Sequence, residues 1–255
     1  MNKITFSIIT VSYNSAEFIR TAIESVLYQH FENIEYIIVD GGSTDGTVEI
    51  VRSYGEQITK FVSEPDKGIY DAMNKGIALA TGDVIGILNS DDFYPNQHVI
   101  SDVVQCFEEN ANVDMVFGNV DFVYAKDLNK SVRFYSSFRF SPWKLRIGFM
   151  PPHPAAFIKR SVYDKVGLYK LGYKIAADFE MFVRMLMVHK LTYAKLDQTL
   201  VRMRIGGVST SGLNSNWVAS EEMVRSLKGN GVYSNLLLVF IRLPVKFLQR
   251  FKIRD

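Results

Sequence analysis

The hydrophobic pattern of this chain changes period repeatedly over residues 6–92. Phe6 to Val11 is a β-rich apolar run that ends in Ser12-Tyr13-Asn14. Ile19, Ala22, Ile23, Val26 and Leu27 then recur at helical spacing. Asn14, with Glu17 three residues on, predicts a capping box for that helix. Tyr36 to Val39 predicts a second strand, closed by Asp40-Gly41-Gly42-Ser43-Thr44-Asp45-Gly46-Thr47, and a helix begins at Val48. Lys60 to Val62 is a short strand before Ser63-Glu64-Pro65-Asp66-Lys67-Gly68. Ile69 to Ala80 predicts a helix with Ile69, Met73, Ile77 and Ala80 inward. The apolar strand Val84 to Leu88 breaks off in Asn89-Ser90-Asp91-Asp92. Alternating strand and helix predict an α/β fold with a mostly parallel sheet flanked by helices. Polar loops after several strand ends then converge on one rim, where such sheets bind ligands.

After a helix from Val99 to Glu109 the alternation lapses. Val116 to Val123 and Ser131 to Tyr135 predict a pair of strands joined by a turn at 125–130. A proline-punctuated loop, Pro142 to Pro154, carries Trp143 and His153. Helices are expected from Ser161 to Val166 and from Asp178 to His189, with strands at Leu191 to Ala194 and Thr199 to Arg204. Gly206 to Gly212 is a polar loop of the kind that forms a lid. Residues 1–212 read as one domain and 213–255 as a C-terminal helical extension. In that extension Arg242, Lys246, Arg250 and Arg254 recur every four residues, with Ile241, Val245, Phe247 and Leu248 mostly away from them. Pro244 is expected to bend or restart the helix.

Charge sharpens this picture only at the end of the chain. The net charge is +2, which excludes a global nucleic-acid footprint. Residues 236–255 carry five Lys/Arg against one Asp, a basic amphipathic pattern that suits an anionic membrane surface. A terminal helix with a solvated basic stripe has the same pattern. No cleavable signal pattern and no apolar run of the ~20 residues a span needs are visible. The expectation is a cytoplasmic protein, peripheral at the inner membrane face. The lone Cys106 reads as a small core residue.

Two adjacent carboxylates at a strand end, Asp91 and Asp92, repel unless something positive sits beside them. A hard divalent cation that shares a substrate's phosphates meets that need, and a plain turn uses the same residue types. Ser12-Tyr13-Asn14 lacks the glycines of a dinucleotide fold. Tyr13 suits stacking on a nucleobase or packing at a strand end. Asp40 is placed to accept from a base or ribose. Asp178 fits a helix N-cap as well as a base facing a cleft. His153 fits an acceptor or phosphate contact as well as a loop histidine bonded to backbone.

In order along the chain, Ile8 to Asn14, Val39 to Thr47, Ser63 to Gly76, Leu88 to Asp92, His153-Pro154 and Ala177-Asp178 resemble the family 2 glycosyltransferases with their GT-A fold. The Glu64 to Gly76 run and Gly206-Gly207-Val208-Ser209 look most like the bacterial colanic-acid and O-antigen transferases of that family. The resemblance implies an inverting transfer from a UDP-sugar to a hydroxyl of a lipid-linked glycan, in cell-surface polysaccharide biosynthesis. It puts Val11, Tyr13, Asp40, Glu64, Asp66, Lys67, Asn74, Asn89, Ser90, His153 and Arg184 at the donor and its neighbours. Asp91 and Asp92 would hold Mn²⁺ or Mg²⁺, with Asn89 where the family's first metal-motif aspartate stands. Asp178 matches the catalytic base, and Arg184 would steady that carboxylate or the diphosphate. No Gln-x-x-Arg-Trp motif is present, which implies a single addition. The rival readings are a sugar nucleotidyltransferase, which needs a Gly- and Lys/Arg-rich first loop, and a non-catalytic nucleotide-sugar-binding subunit.

Overall fold

The computed structural model describes residues 4–205 and 212–248. Its elements in chain order begin with β1 (Phe6–Ser12), α1 (Ile19–Leu27), β2 (Ile34–Asp40), α2 (Thr47–Arg52), β3 (Lys60–Ser63), α3 (Ile69–Leu79) and β4 (Val84–Asn89). There follow β5 (Asp92–Phe93), α4 (Val99–Glu109), β6 (Met115–Tyr124), β7 (Asp127–Tyr135), β8 (Ala156–Lys159), α5 (Arg160–Val166) and α6 (Ala177–Val183). The last are β9 (Tyr193–Arg204), α7 (Gly212–Gly229), α8 (Leu236–Phe240) and α9 (Arg242–Leu248).

One sheet runs β3-β2-β1-β4-β8-β6-β9-β5, with β7 paired to β6. The first four strands are parallel, as βαβ alternation requires, so their carboxyl ends share one rim. β8 runs antiparallel to β4, with Gly86 opposite Phe157. Continuing that register brings His153 and Pro154 level with Ser90 and Asn89. The three-residue helical turn His153–Ala155 packs on β4. β6 and β9 run with β4, so Arg204 also ends at the rim.

The parallel strands are buried on both faces, and period-two alternation sorts their side chains. Ile9, Val11, Ile37 and Val39 join the core under α3, α6 and α7. Phe6, Ile8, Tyr36 and Ile38 join the core under α1 and α4. α3 lies so close to β1 that a Cβ at Gly76 would overlap Ile9 Cγ2.

Several sequence expectations change. The helix α1 has Phe18 at its N-cap with no side-chain cap, so the Asn14–Glu17 box is absent. Asn14 instead adopts a positive φ of 47° and accepts a bond from Thr44 N. Ile69 is exposed, because Tyr70 takes the inward position at the start of α3. The two strands expected at 191–204 are one strand, β9, whose pairing with β6 shifts register between Phe117 and Val120. The strands β5 and β8 had no clear sequence signal. The helix from Ala177 widens into a π-turn at Arg184–Val188.

The C-terminal helices are not a separate layer. Met223, Val224, Leu227, Val232 and Val239 bury into the same core as Ile9 and Phe179. Arg242 is 1% exposed and donates to Asn216 O and Ser220 Oγ on α7, so it belongs to no basic face. A guanidinium can enter a core only with such acceptors. The chain restarts a helix at Arg242, just before Pro244, as proline geometry favours. Gly206 to Ser211, Arg250 and Arg254 lie outside the described residues, as does the side chain of Lys246. Among the described residues no helix is long and apolar enough to cross a membrane.

Candidate active site

The loops after β1 and β2 are sewn together by short polar side chains. Ser43 Oγ accepts from Asn14 N at 2.7 Å, and Thr47 Oγ1 accepts from Ser15 N at 2.8 Å. Asp45 bridges Ala16 N and Thr47 N, which makes the expected Asp45-Gly46 turn an inter-loop tie as well. Gly46, at φ 94°, permits that turn. Ser15 Oγ meets Ser90 Oγ at 2.7 Å, which joins the β4 loop to the set.

Asp40 anchors this floor. Its buried carboxylate accepts from Gly42 N, Ser43 N and the hydroxyls of Ser12, Ser43 and Ser63. Burial pushes its pKa up, but those donors outweigh it and hold the acid below the usual range. A carboxylate offers about four lone-pair sites, so Asp40 has no unused acceptor. The sequence reading gave it a direct base or ribose contact; a ligand donor reaches it only by displacing a serine hydroxyl. The exposed surface beside it is Tyr13, 65% exposed, with the partly exposed Asp66. A Cβ at Gly41 would overlap the Asp66 carboxylate and lie 3.4 Å from Tyr13 Cδ2. Only glycine lets the two side chains close over that backbone. Val11 is buried behind Tyr13. Glu64 is exposed and paired with Lys75 at 2.7 Å, and Lys67 is exposed.

At the end of β4 the carboxylates part company. Asp91 is partly exposed, whereas Asp92 is fully buried in β5. Asn89 Nδ2 donates to Asp92 Oδ2 at 3.1 Å. The other oxygens, Asn89 Oδ1 and Asp92 Oδ1, are buried without a hydrogen-bond partner. Burial raises the pKa of Asp91, and burial plus the Asp91 charge raises that of Asp92 further. The positive neighbour is Arg204, which donates to Asp91 O at 2.6 Å and lies over the Phe18 and Phe93 rings. Sequence reasoning missed Arg204, since nothing local to β9 marks it and only the β5–β9 pairing brings it there.

Asp178 is reached from the other side. It lies one residue inside α6, whose N-cap is Ala176, so Asp178 is not the N-cap. Its Oδ1 accepts from Phe179 N at 2.8 Å and lies 3.4 Å from Tyr70 Oη. Tyr70, in the first turn of α3, donates to Ile175 O. That contact brings Asp178 to the rim. Tyr70 stacks on Tyr169 at 5.7 Å, and Tyr169 meets His153 edge-on at 6.0 Å. His153 is buried, its Nε2 has no partner, and burial lowers its pKa to about 4. It is thus neutral at pH 7 and bound by no backbone group through Nε2.

Two predicted site residues are engaged elsewhere. Asn74 exchanges both amide atoms with the backbone of Tyr169, at 2.8 and 2.9 Å, and pins that loop to α3. Arg184 is buried, with its Nε forked onto Glu180 at 2.8 and 3.0 Å and its other nitrogens on the carbonyls of Val166 and Leu168. It seals the end of α5. Sequence reasoning also missed Glu222 of α7. It accepts from Lys174 N, Ile175 N and Ala176 N at 2.7–3.0 Å, three consecutive amides that lead into α6.

A profile of "Glycosyl transferase family 2" matches residues 7–167, more than half of the chain. The chain is a family 2 glycosyltransferase. It is 33% identical over 186 residues to an uncharacterised glycosyltransferase of Mycobacterium tuberculosis, covering 72% of this chain and 70% of that one. It is 26% identical over 249 residues to a PGL/p-HBAD biosynthesis glycosyltransferase of Mycobacterium bovis, covering 96% and 93%. Among solved structures, S. aureus TarS 1–349 in complex with UDP-GlcNAc matches with a TM-score of 0.69 at 17% identity, over 98% of this chain and 74% of that one. The mannosyltransferase PcManGT from Pyrobaculum calidifontis, in complex with GDP-Man and Mn²⁺, matches at 0.60 and 16% identity, over 99% and 82%. The fold of this family 2 glycosyltransferase is thus GT-A, a mixed sheet between helices.

Proposed function

We propose that this glycosyltransferase moves a sugar, with inversion, from a UDP-sugar to a hydroxyl of a lipid-linked glycan in cell-surface polysaccharide synthesis at the inner membrane face. The observation that carries the reading is the meeting, at one rim, of two unlike acid sites. One is the clamped floor with Asp91 and Asp92; the other is Asp178, held from α3 and α7. The complex of TarS with UDP-GlcNAc supports the donor class by likeness of fold.

Tyr13 and Asp66 cover the base and ribose, and Glu64 and Lys67 border them. Asp178 takes the proton of the acceptor hydroxyl as its oxygen bonds the anomeric carbon. The anomeric carbon–oxygen bond breaks on the opposite face, and the nucleoside diphosphate departs with the electron pair. His153, neutral and with an unspent Nε2, contributes a hydrogen bond to the sugar or phosphate.

A divalent cation fits the β4 end. Asn89 Oδ1 and Asp92 Oδ1 are buried and unspent, and Asp91 stands beside them. Among the described residues there is no cluster of three His, Cys, Asp or Glu. Mn²⁺ or Mg²⁺ would therefore be held by only one or two carboxylates and the Asn89 oxygen, with diphosphate and water oxygens completing the set. When bound, such an ion neutralises the leaving diphosphate. Asn89 holds Asp92 in place here, so its amide is no sign of a dead enzyme.

The test is calorimetric binding of UDP- and GDP-sugars with Mn²⁺ or Mg²⁺, followed by donor hydrolysis. Tight UDP-sugar binding that chelator abolishes supports the reading. A preference for GDP-sugars, or binding indifferent to metal, would overturn the donor or cofactor assignment.

A further inference from the structure

The last two helices bury Val239 but leave other apolar residues facing outward. Leu237 is 80% exposed, Ile241 46% and Val245 38%, while Arg242 among them is buried. The three apolar residues follow one another at intervals of four. Ile241 itself is in the right-handed helical region, so α8, Ile241 and α9 present them as one ridge. Trp217 of α7, half exposed and 5.6 Å from the Phe240 ring, and the exposed Tyr233 just before α8 supply aromatic bodies with a polar tip. Leucine and isoleucine side by side in water are costly, and a contiguous exposed apolar patch marks an interaction surface.

We infer that this ridge is the surface by which the protein docks on an anionic lipid bilayer. The occupant is argued from charge. Beyond the ridge the sequence continues with Lys246, Arg250, Lys252 and Arg254 against the single Asp255. An apolar ridge with aromatic residues beside a basic segment suits the headgroup boundary of a membrane with negative lipids.

The ridge is fastened to the proposed acceptor side. Arg242 ties α9 to α7 through Ser220, and two residues on, Glu222 holds the amides before Asp178. Docking therefore deepens the proposed use of a membrane-borne acceptor, and its assay reads no transfer.

The full chain is sedimented with vesicles of phosphatidylethanolamine and phosphatidylglycerol in equal parts, and with phosphatidylcholine vesicles. The wild type should bind the anionic vesicles more tightly, and added salt should weaken that binding. Leu237→Glu with Ile241→Glu should lose at least ~10-fold in partitioning. Both positions are exposed, so circular dichroism and nucleotide-sugar binding of the variant should match the wild type. Equal partitioning of variant and wild type, or no binding of the wild type to anionic vesicles, would overturn the inference. So would a dimer in light scattering that the variant abolishes while vesicle binding is absent, which would assign the ridge to a second copy.

Discussion

The floor of the site and the segment before Asp178 meet at one rim but are built by different means. The floor is made of strand ends and turns whose own residues bond to one another across two adjacent loops, Asn14 with Ser43 and Thr44 and Ala16 with Asp45, and within one, Asp40 with Ser43. The Asp178 segment has little local order. It is held by Glu222, nearly fifty residues later, by Tyr70, about a hundred residues earlier, and by Asn74 through Tyr169. A floor of this kind is preset before a donor arrives, while the acid opposite it depends on tertiary packing. Substitutions should therefore separate donor binding from turnover.

The largest effect should follow Glu222→Ala, which leaves three amides without their acceptor and costs ~3 kcal/mol in urea unfolding. Glu222→Gln, which keeps one acceptor oxygen, should cost less. In both variants kcat should fall while the donor KM holds. A change confined to the donor KM would break the contrast. Asp91→Asn should act on the other side and weaken metal-dependent nucleotide binding about 10–100-fold by calorimetry, with melting temperature unchanged. Asn74→Ala should cost about 1–2 kcal/mol, since it frees both a buried N–H and a carbonyl of Tyr169. A loss of donor affinity there instead would restore Asn74 to the ligand.

The smallest effect at neutral pH concerns acid stability. His153 titrates near 4 when folded and near 6.5 when unfolded. Its neutral form is thus favoured by the fold, and the stability it contributes is whole above 6.5 and lost as pH falls to 4. Glu35 is depressed from 4.5 to about 2: burial raises it, but Lys60, Ser7 and Thr81 outweigh that, so its contribution is lost between those values. Urea midpoints of His153→Gln should fall less steeply than wild type between pH 6.5 and 4, and equally below that.

The same contrast explains what was legible in the sequence. β1, β2 and β4 follow from short unbroken apolar runs, because both their faces are buried, and α1, α3 and α4 from apolar residues that recur every three to four. Asp178, Asp91 and Tyr13 were singled out by motif, and their roles rest on the proposed reading. Arg184 and Asn74 are engaged by groups the motif reading did not weigh: Glu180, one turn back on the same helix, with the carbonyls at the end of α5, and the distant Tyr169 backbone. Arg204 and Glu222 were missed for the same reason. Arg242 itself leaves the expected basic face, because spacing fixes which residues share a face and packing decides whether a given side chain turns inward.

The central claim is that Asp178 is the base set opposite a preformed donor floor. Asp178→Asn, which preserves shape and removes the basic oxygen, tests it in one single-turnover measurement with donor, Mn²⁺ and acceptor. The account predicts transfer slowed about 10²–10⁴-fold, with donor affinity as in the wild type. Wild-type transfer by that variant would contradict it.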